Sequence, residues 1–293
     1  MKILFIAKGD LPDYQSDMVF HGGRALFGKD FVDANRLWYM YKEDKEKYWN
    51  QRAPNGGNSY GRGFTIAGTA TDIDPKEREN LAEKIEAKYF DYIIYGSVTR
   101  CQDFFPLVTK VYSSNQVIFI DGEDGQGYTG GLTEIGHLFK RELVSDETNR
   151  LHSINFCIPE DKIVASVPEK TQDWGTIKPG DMSTYIFNDE PSYYKDYQKS
   201  HFGLTFVKGG WDCLRHYEIL MNGCIPYFVG LENCPTNTMK AFPKQRVLET
   251  NKIVESENLD SDVYKNHVEW LLDYTRKNLT TKAIVSNMLS VIS

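Results

Sequence analysis

The chain has 293 residues, enough for two modest cores, and 41% hydrophobic with 26% charged residues is the balance of an ordinary globular protein. Its 34 Lys and Arg against 41 Asp and Glu leave a formal charge of −7, which argues against a surface that tracks a nucleic-acid backbone but leaves room for a local basic cleft. Five Cys with no CxxC pair, a first apolar stretch too short for a signal sequence, and no run near the ~18 apolar residues of a membrane span exclude a disulfide framework, a structural zinc and a transmembrane chain, so a soluble, cytoplasmic protein is expected.

Residues 2–7 form an apolar run ending in Lys8-Gly9-Asp10, a buried first strand with a loop at its C-terminal end. Ser16-Asp17 would cap a helix reaching about residue 26. Residues 31–33 read as a second strand. The polar, Gly- and Asn-rich stretch 43–62 reads as a surface loop, and 64–67 as a third strand. Asp74 before Pro75 opens a helix over 75–89. A strand at 91–96, a helix at 103–112 and a strand at 116–121 follow. Alternation of this kind predicts a doubly wound parallel sheet, whose ligands lie beyond the carboxyl ends of its strands. The loops 8–17 and 121–131 fall at such ends.

Gly122, Gly125, Gly127, Gly130 and Gly131 crowd one segment, which reads as a hinge. The alternation then restarts, with strands at 153–157, 185–188, 202–207, 224–229 and 246–248. Helices are expected at 192–200 and 211–222, and most of 260–291 is helical. Aromatics reach 13%, with 18 Tyr and 5 Trp, a content that suits sugar-stacking sites and aromatic cores alike. Asn278-Leu279-Thr280 spells a glycosylation sequon, a pattern that chance supplies often.

The stretch 202–228 is the most informative. It reads strand, Lys208-Gly209-Gly210-Trp211, helix, Gly223, strand. Two glycines ahead of a helix let a ligand approach the backbone, and the N–H groups there suit a diphosphate. Arg215 and Glu218 are three apart and share a helix face with Trp211 and Asn222. Arg215 suits phosphate oxygens, and Glu218 suits the hydroxyls of a ribose. The plain alternative for the pair is a surface salt bridge worth ~0.2–0.5 kcal/mol. His216 points about 100° away from Arg215 around the helix.

The run 208–226, KGGWDCLRHYEILMNGCIP, resembles the donor-site motif of exostosin-like glycosyltransferases and related GT-B enzymes. The resemblance implies an α/β fold of two Rossmann-like, doubly wound domains with a cleft between them. Residues 1–130 would bind acceptor, residues 131–280 donor, and 281–293 would form a helix crossing back. It implies transfer of a hexosyl or pentosyl unit from a nucleotide-diphosphate sugar, a UDP-sugar, to a hydroxyl of a glycan or glycoconjugate, with no metal or other cofactor required and with inversion at the anomeric carbon favoured. Arg215 would meet the diphosphate and Glu218 the ribose, beside Lys208, Gly209, Gly210 and Trp211. Asp72-Ile73-Asp74 has the spelling of a metal motif, but its place before Pro75 makes helix capping its role.

Lys140-Arg141-Glu142, placed early in the second domain, supplies further cations, and Arg141 is preferred for the leaving group. An inverting transfer needs a base. Asp17 and His21, at i and i+4, would form a carboxylate–imidazole pair; Asp121, Glu123 and Asp124 are the other carboxylates, with Asp124 in the expected cleft. Two alternatives stand beside this reading: a non-catalytic nucleotide-sugar or glycan-binding protein, and a viral-type glycosyltransferase acting on modified DNA bases, which the net acidity disfavours.

Overall fold

The computed structural model describes residues 1–10, 12–52, 65–255 and 261–292. It has the expected α/β class, built on two parallel sheets. The first has six strands: β1 Ile3–Ile6, β2 Phe31–Asp33, β3 Tyr92–Tyr95, β4 Val117–Asp121, β5 His137–Lys140 and β6 Leu151–Ser153. Their order is β2-β1-β3-β4-β5-β6, with Ile3 opposite Tyr92 across the β1–β3 pair. Period-2 alternation splits the strands between two cores. Ile3, Phe5, Ile94, Ile118 and Ile120 face one; Leu4, Ile6, Ile93, Val117 and Phe119 face the other. Burial on both faces is why these strands read as unbroken apolar runs.

The helices of this part are α1 Tyr14–Phe27, α2 Lys45–Arg52, α3 Leu81–Glu86, α4 Phe105–Val111 and the single turn α5 Leu132–Ile135. The second sheet is β7 Gln172–Trp174, β8 Ser200–Phe206 and β9 Ile225–Val229, in that order. With it go α6 Glu190–Lys199, α7 Leu214–Met221, α8 Lys244–Glu255 and α9 Ser261–Asn278. The edge of β9 is sealed by Asn251 of α8, which accepts from Phe228 N at 3.2 Å and donates to Phe228 O at 2.7 Å. The last helix, α10 Thr281–Ile292, returns to pack along α1.

Several expectations are corrected. Helix α1 starts before Ser16-Asp17; its cap is Asp13, whose carboxylate accepts from Ser16 N at 3.2 Å. Within 43–62, the described part is a 3-10 turn Lys42–Asp44 followed by α2, and 53–62 lie outside the described residues. Residues 65–67 form no strand, and Phe64 is outside the described residues. The helix expected over 75–89 breaks at Asn80, φ 52°, into the 3-10 turn Pro75–Arg78 and α3; Asp74 caps that turn by accepting from Lys76 N at 3.0 Å. Residues 185–188 are irregular, and 246–248 lie inside α8. The glycine-dense 122–131 is not a join between sheets. It links β4 to β5 of the same sheet, because β5 pairs with β4 from Ile118–His137 onward, so the first sheet runs past residue 130 to Ser153.

Candidate functional site

The loops that follow β4 and β5 meet the loop that follows β8, and residues just after β1 and β3 line a neighbouring cavity. A cavity of about 310 Å³ lies where strand order reverses between β1 and β3, lined by Ala7, Lys8, Asp13, Ser16, Ser97 and Arg100. A second, of about 220 Å³, shares Asp13 and Arg100 and reaches Gly122, Asp124, Arg141 and Phe156. The cations here are all paired: Lys8 with Asp10 at 3.7 Å, Arg100 with Asp13 at 3.4 Å and Glu123 at 3.0 Å, Arg141 with Asp124 and with Glu142 at 2.9 Å. Behind them the wholly buried Lys140 bonds Asp121 at 3.1 Å and the Glu123 carbonyl at 2.8 Å. Lys140 thus ends a strand of the first sheet, with Arg141 and Glu142 in the turn that follows, rather than opening a second domain.

Arg141 is the hub. It is 1% exposed and donates to Gly122 O at 2.9 Å, Asp212 O at 2.6 Å, Glu142 and Asp124, with Phe156's ring 4.7 Å from its guanidinium. Burial works against its charge, but Asp212, Glu142 and Asp124 together raise its pKa. Glu142 accepts from Trp211 N at 3.1 Å and Asp212 N at 2.9 Å. These are N–H groups expected to meet a diphosphate, and here a carboxylate of the chain holds them. Gly210 permits this, since a Cβ there would stand 2.5 Å from Glu142 Oε1. Asp212 in turn accepts from Phe156 N at 2.6 Å and Tyr217 Oη at 2.8 Å. Burial pushes its carboxyl up to about 6 against the pull of Arg141.

On α7 the expected polar face exists, but it is covered rather than open. Arg215, 5% exposed, donates to Tyr185 Oη at 2.8 Å. Glu218, 1% exposed, accepts from Tyr193 Oη, and Asn222 accepts from Gln198 at 3.0 Å. Residues 185–198 therefore lie over Arg215 and Glu218. Burial pushes the Glu218 carboxyl up to about 7, although Tyr193's hydrogen bond and Arg215's charge pull it down. Lys208 is exposed at the loop tip, next to Gly209 and Gly210, and Trp211 is half-buried against Phe228. His216 bonds Thr205 and the Trp211 carbonyl, each at 2.9 Å, and burial pushes its pKa down to about 3. It holds the loop onto β8.

The proposed base pair does not form. Asp17 is wholly buried and accepts from Tyr39 Oη at 2.6 Å and Asp13 N at 3.0 Å; burial raises its pKa strongly. His21 bonds Thr281 Oγ1 of α10 at 2.9 Å instead, and burial pushes its pKa down to about 4. Asp124, by contrast, lines the smaller cavity. Sequence reasoning missed Asp13, Arg100, Glu142 and Asp212. Asp13 carried a usable signal, an Asp three residues before Ser16 at the start of a helix. The other three act through partners distant in the chain.

No protein-family model matches the chain, and no curated protein matches it in sequence. The solved structures that are similar over the full length include two. One is an alpha-glucosyltransferase in complex with UDP and a 13-mer DNA containing an HMU base: TM-score 0.43, 10% identity, 100% of this chain and 99% of that one. The other is MurG of Acinetobacter baumannii: TM-score 0.43, 7% identity, with the same coverage. At that similarity the likeness carries no functional conclusion. Among the described residues, no group of three or more His, Cys, Asp or Glu is placed to hold a metal, and no helix is long and apolar enough to cross a membrane.

Proposed function

We propose that the chain is a GT-B glycosyltransferase with exostosin-like donor chemistry, moving a sugar from a UDP-sugar to a hydroxyl of a glycan or glycoconjugate. The observation that carries this is the β8–loop–α7–β9 unit. Arg215 and Glu218 lie one turn apart on α7, behind a Gly-Gly loop that ends against Arg141 of the first sheet. Once the donor displaces Tyr185 and Tyr193, which cover them, Arg215 would join Lys208 and Arg141 in neutralising the leaving diphosphate without a metal, and Glu218 would hold the ribose. Asp13, which faces both cavities, is the preferred base, with Asp124 as the second carboxylate.

Calorimetric titration with UDP and UDP-sugars, followed by a hydrolysis and transfer assay, tests the reading. Arg215→Ala and Glu218→Ala should each weaken donor binding by about 1–3 kcal/mol, the scale of a lost charge-assisted hydrogen bond. Unchanged affinity in folded Glu218→Ala removes the ribose role. Donor binding with neither hydrolysis nor transfer would mark a binding protein instead.

A further inference from the structure

The loop of residues 207–213 meets the first sheet through charge. A guanidinium and two adjacent backbone N–H groups converge there, the donor set that cradles a phosphate. Carboxylates of the chain fill it. Glu142 spans the set, with Oε1 on Asp212 N at 2.9 Å and Arg141 Nη1 at 2.9 Å, and Oε2 on Trp211 N at 3.1 Å. Asp124 takes Arg141 Nη2 from the other side. Gly209 is the counterpart of Gly210: a side chain there would collide with the Asp124 carboxylate. The two carboxylates differ in freedom. The Asp124 side chain is 63% exposed and that of Glu142 only 2%. The 220 Å³ cavity reaches Arg141 on the Asp124 side.

We propose that this seam is a phosphoanhydride site held shut by the chain's own carboxylates, with Asp124 as its outer leaf and Glu142 as its inner one. The proposal rests on the donor reading above and adds a competitor to it. A diphosphate entering from the cavity first displaces Asp124 from Arg141, then Glu142 from the N–H groups of Trp211 and Asp212. Affinity is then set by this exchange, so neutralising either carboxylate raises it. A role for Glu142 or Asp124 as mere loop supports has the opposite sign, because loosening the loop would weaken binding.

The experiment is calorimetric titration of the full chain, and of its Asp124→Asn and Glu142→Gln forms, with sodium pyrophosphate and separately with UDP at low salt. Asp124→Asn should tighten pyrophosphate binding about threefold, and Glu142→Gln about tenfold, with both gains shrinking as salt is added. Asp124 is exposed enough that its substitution leaves folding intact should Glu142→Gln not fold. Unchanged or weaker binding of both ligands in the folded variants overturns the proposal while leaving UDP binding by the unaltered chain, and hence the donor reading, in place. Tighter pyrophosphate binding with no UDP binding by any form keeps the shut site and removes the nucleotide donor. No binding of either ligand by any form overturns both.

Discussion

At the scale of single residues, Glu218 decides most. Its carboxyl sits at about 7, against a usual 4.5, because burial outweighs the Tyr193 hydrogen bond and the Arg215 charge. A ribose diol donates hydrogen bonds, so donor binding favours the ionised form. Affinity for UDP-glucose, whose phosphates stay ionised throughout, should rise as pH increases through about 7. Glu218→Gln should flatten that rise, and titrations at pH 6 and pH 8 measure it. A flat profile for the unaltered chain would exclude contact between Glu218 and the donor. Stability moves the other way. The folded pKa exceeds the unfolded one, so this group's contribution is present below about 4.5 and is lost as pH climbs to about 7.

At the scale of elements, α10 packs closely against α1. A Cβ on Gly22 would stand 2.7 Å from the Thr281 carbonyl carbon and 2.8 Å from Val285 Cγ2. Thr281 is itself fixed, since its N–H donates to Ile158 O at 3.0 Å. Gly22→Ala should therefore overpack the joint and cost about 1–3 kcal/mol, read as a lower urea midpoint. An unchanged midpoint would mean that α10 yields freely. Elements were legible in the sequence where the chain repeats one chemistry. β1, β3, β4 and β9 are apolar runs because the sheets bury them. β5 was not legible, since His137 and Lys140 are polar residues buried through partners: His137 bonds His152 at 3.2 Å, and Lys140 bonds Asp121. The helical Val247-Leu248 was misread because two apolar residues fit either period. Among the candidate site residues, the spacing of Arg215 and Glu218 places both on one helix, as α7 does. Glu142 was not legible, because the residues it holds lie 69 and 70 positions away. Nor does an amphipathic pattern distinguish a face open to ligand from one covered by Tyr185 and Tyr193.

At the scale of the whole molecule, the two sheets share one interior. A single apolar cluster runs from Ile3 and Phe5 of β1, through Met18 and Val19 of α1 and Val285 and Met288 of α10, to Phe202 and Phe228 of the second sheet. Polar links reinforce it: Arg141 to the Asp212 carbonyl, Phe156 N to Asp212, and Ile158 N to the Leu279 carbonyl at 2.9 Å. Neither sheet can expose its share of that cluster without opening the other's, so unfolding should be one cooperative event. Three of the five Trp, namely Trp174 on β7, Trp211 against Phe228 of β9 and Trp270 on α9, lie in or with the second sheet and weight the fluorescence toward it, whereas far-ultraviolet circular dichroism reports all helices and strands. Urea transitions followed by the two signals should coincide. Separate midpoints, with fluorescence changing first, would show that the second sheet opens alone and that the shared cluster does not couple the two.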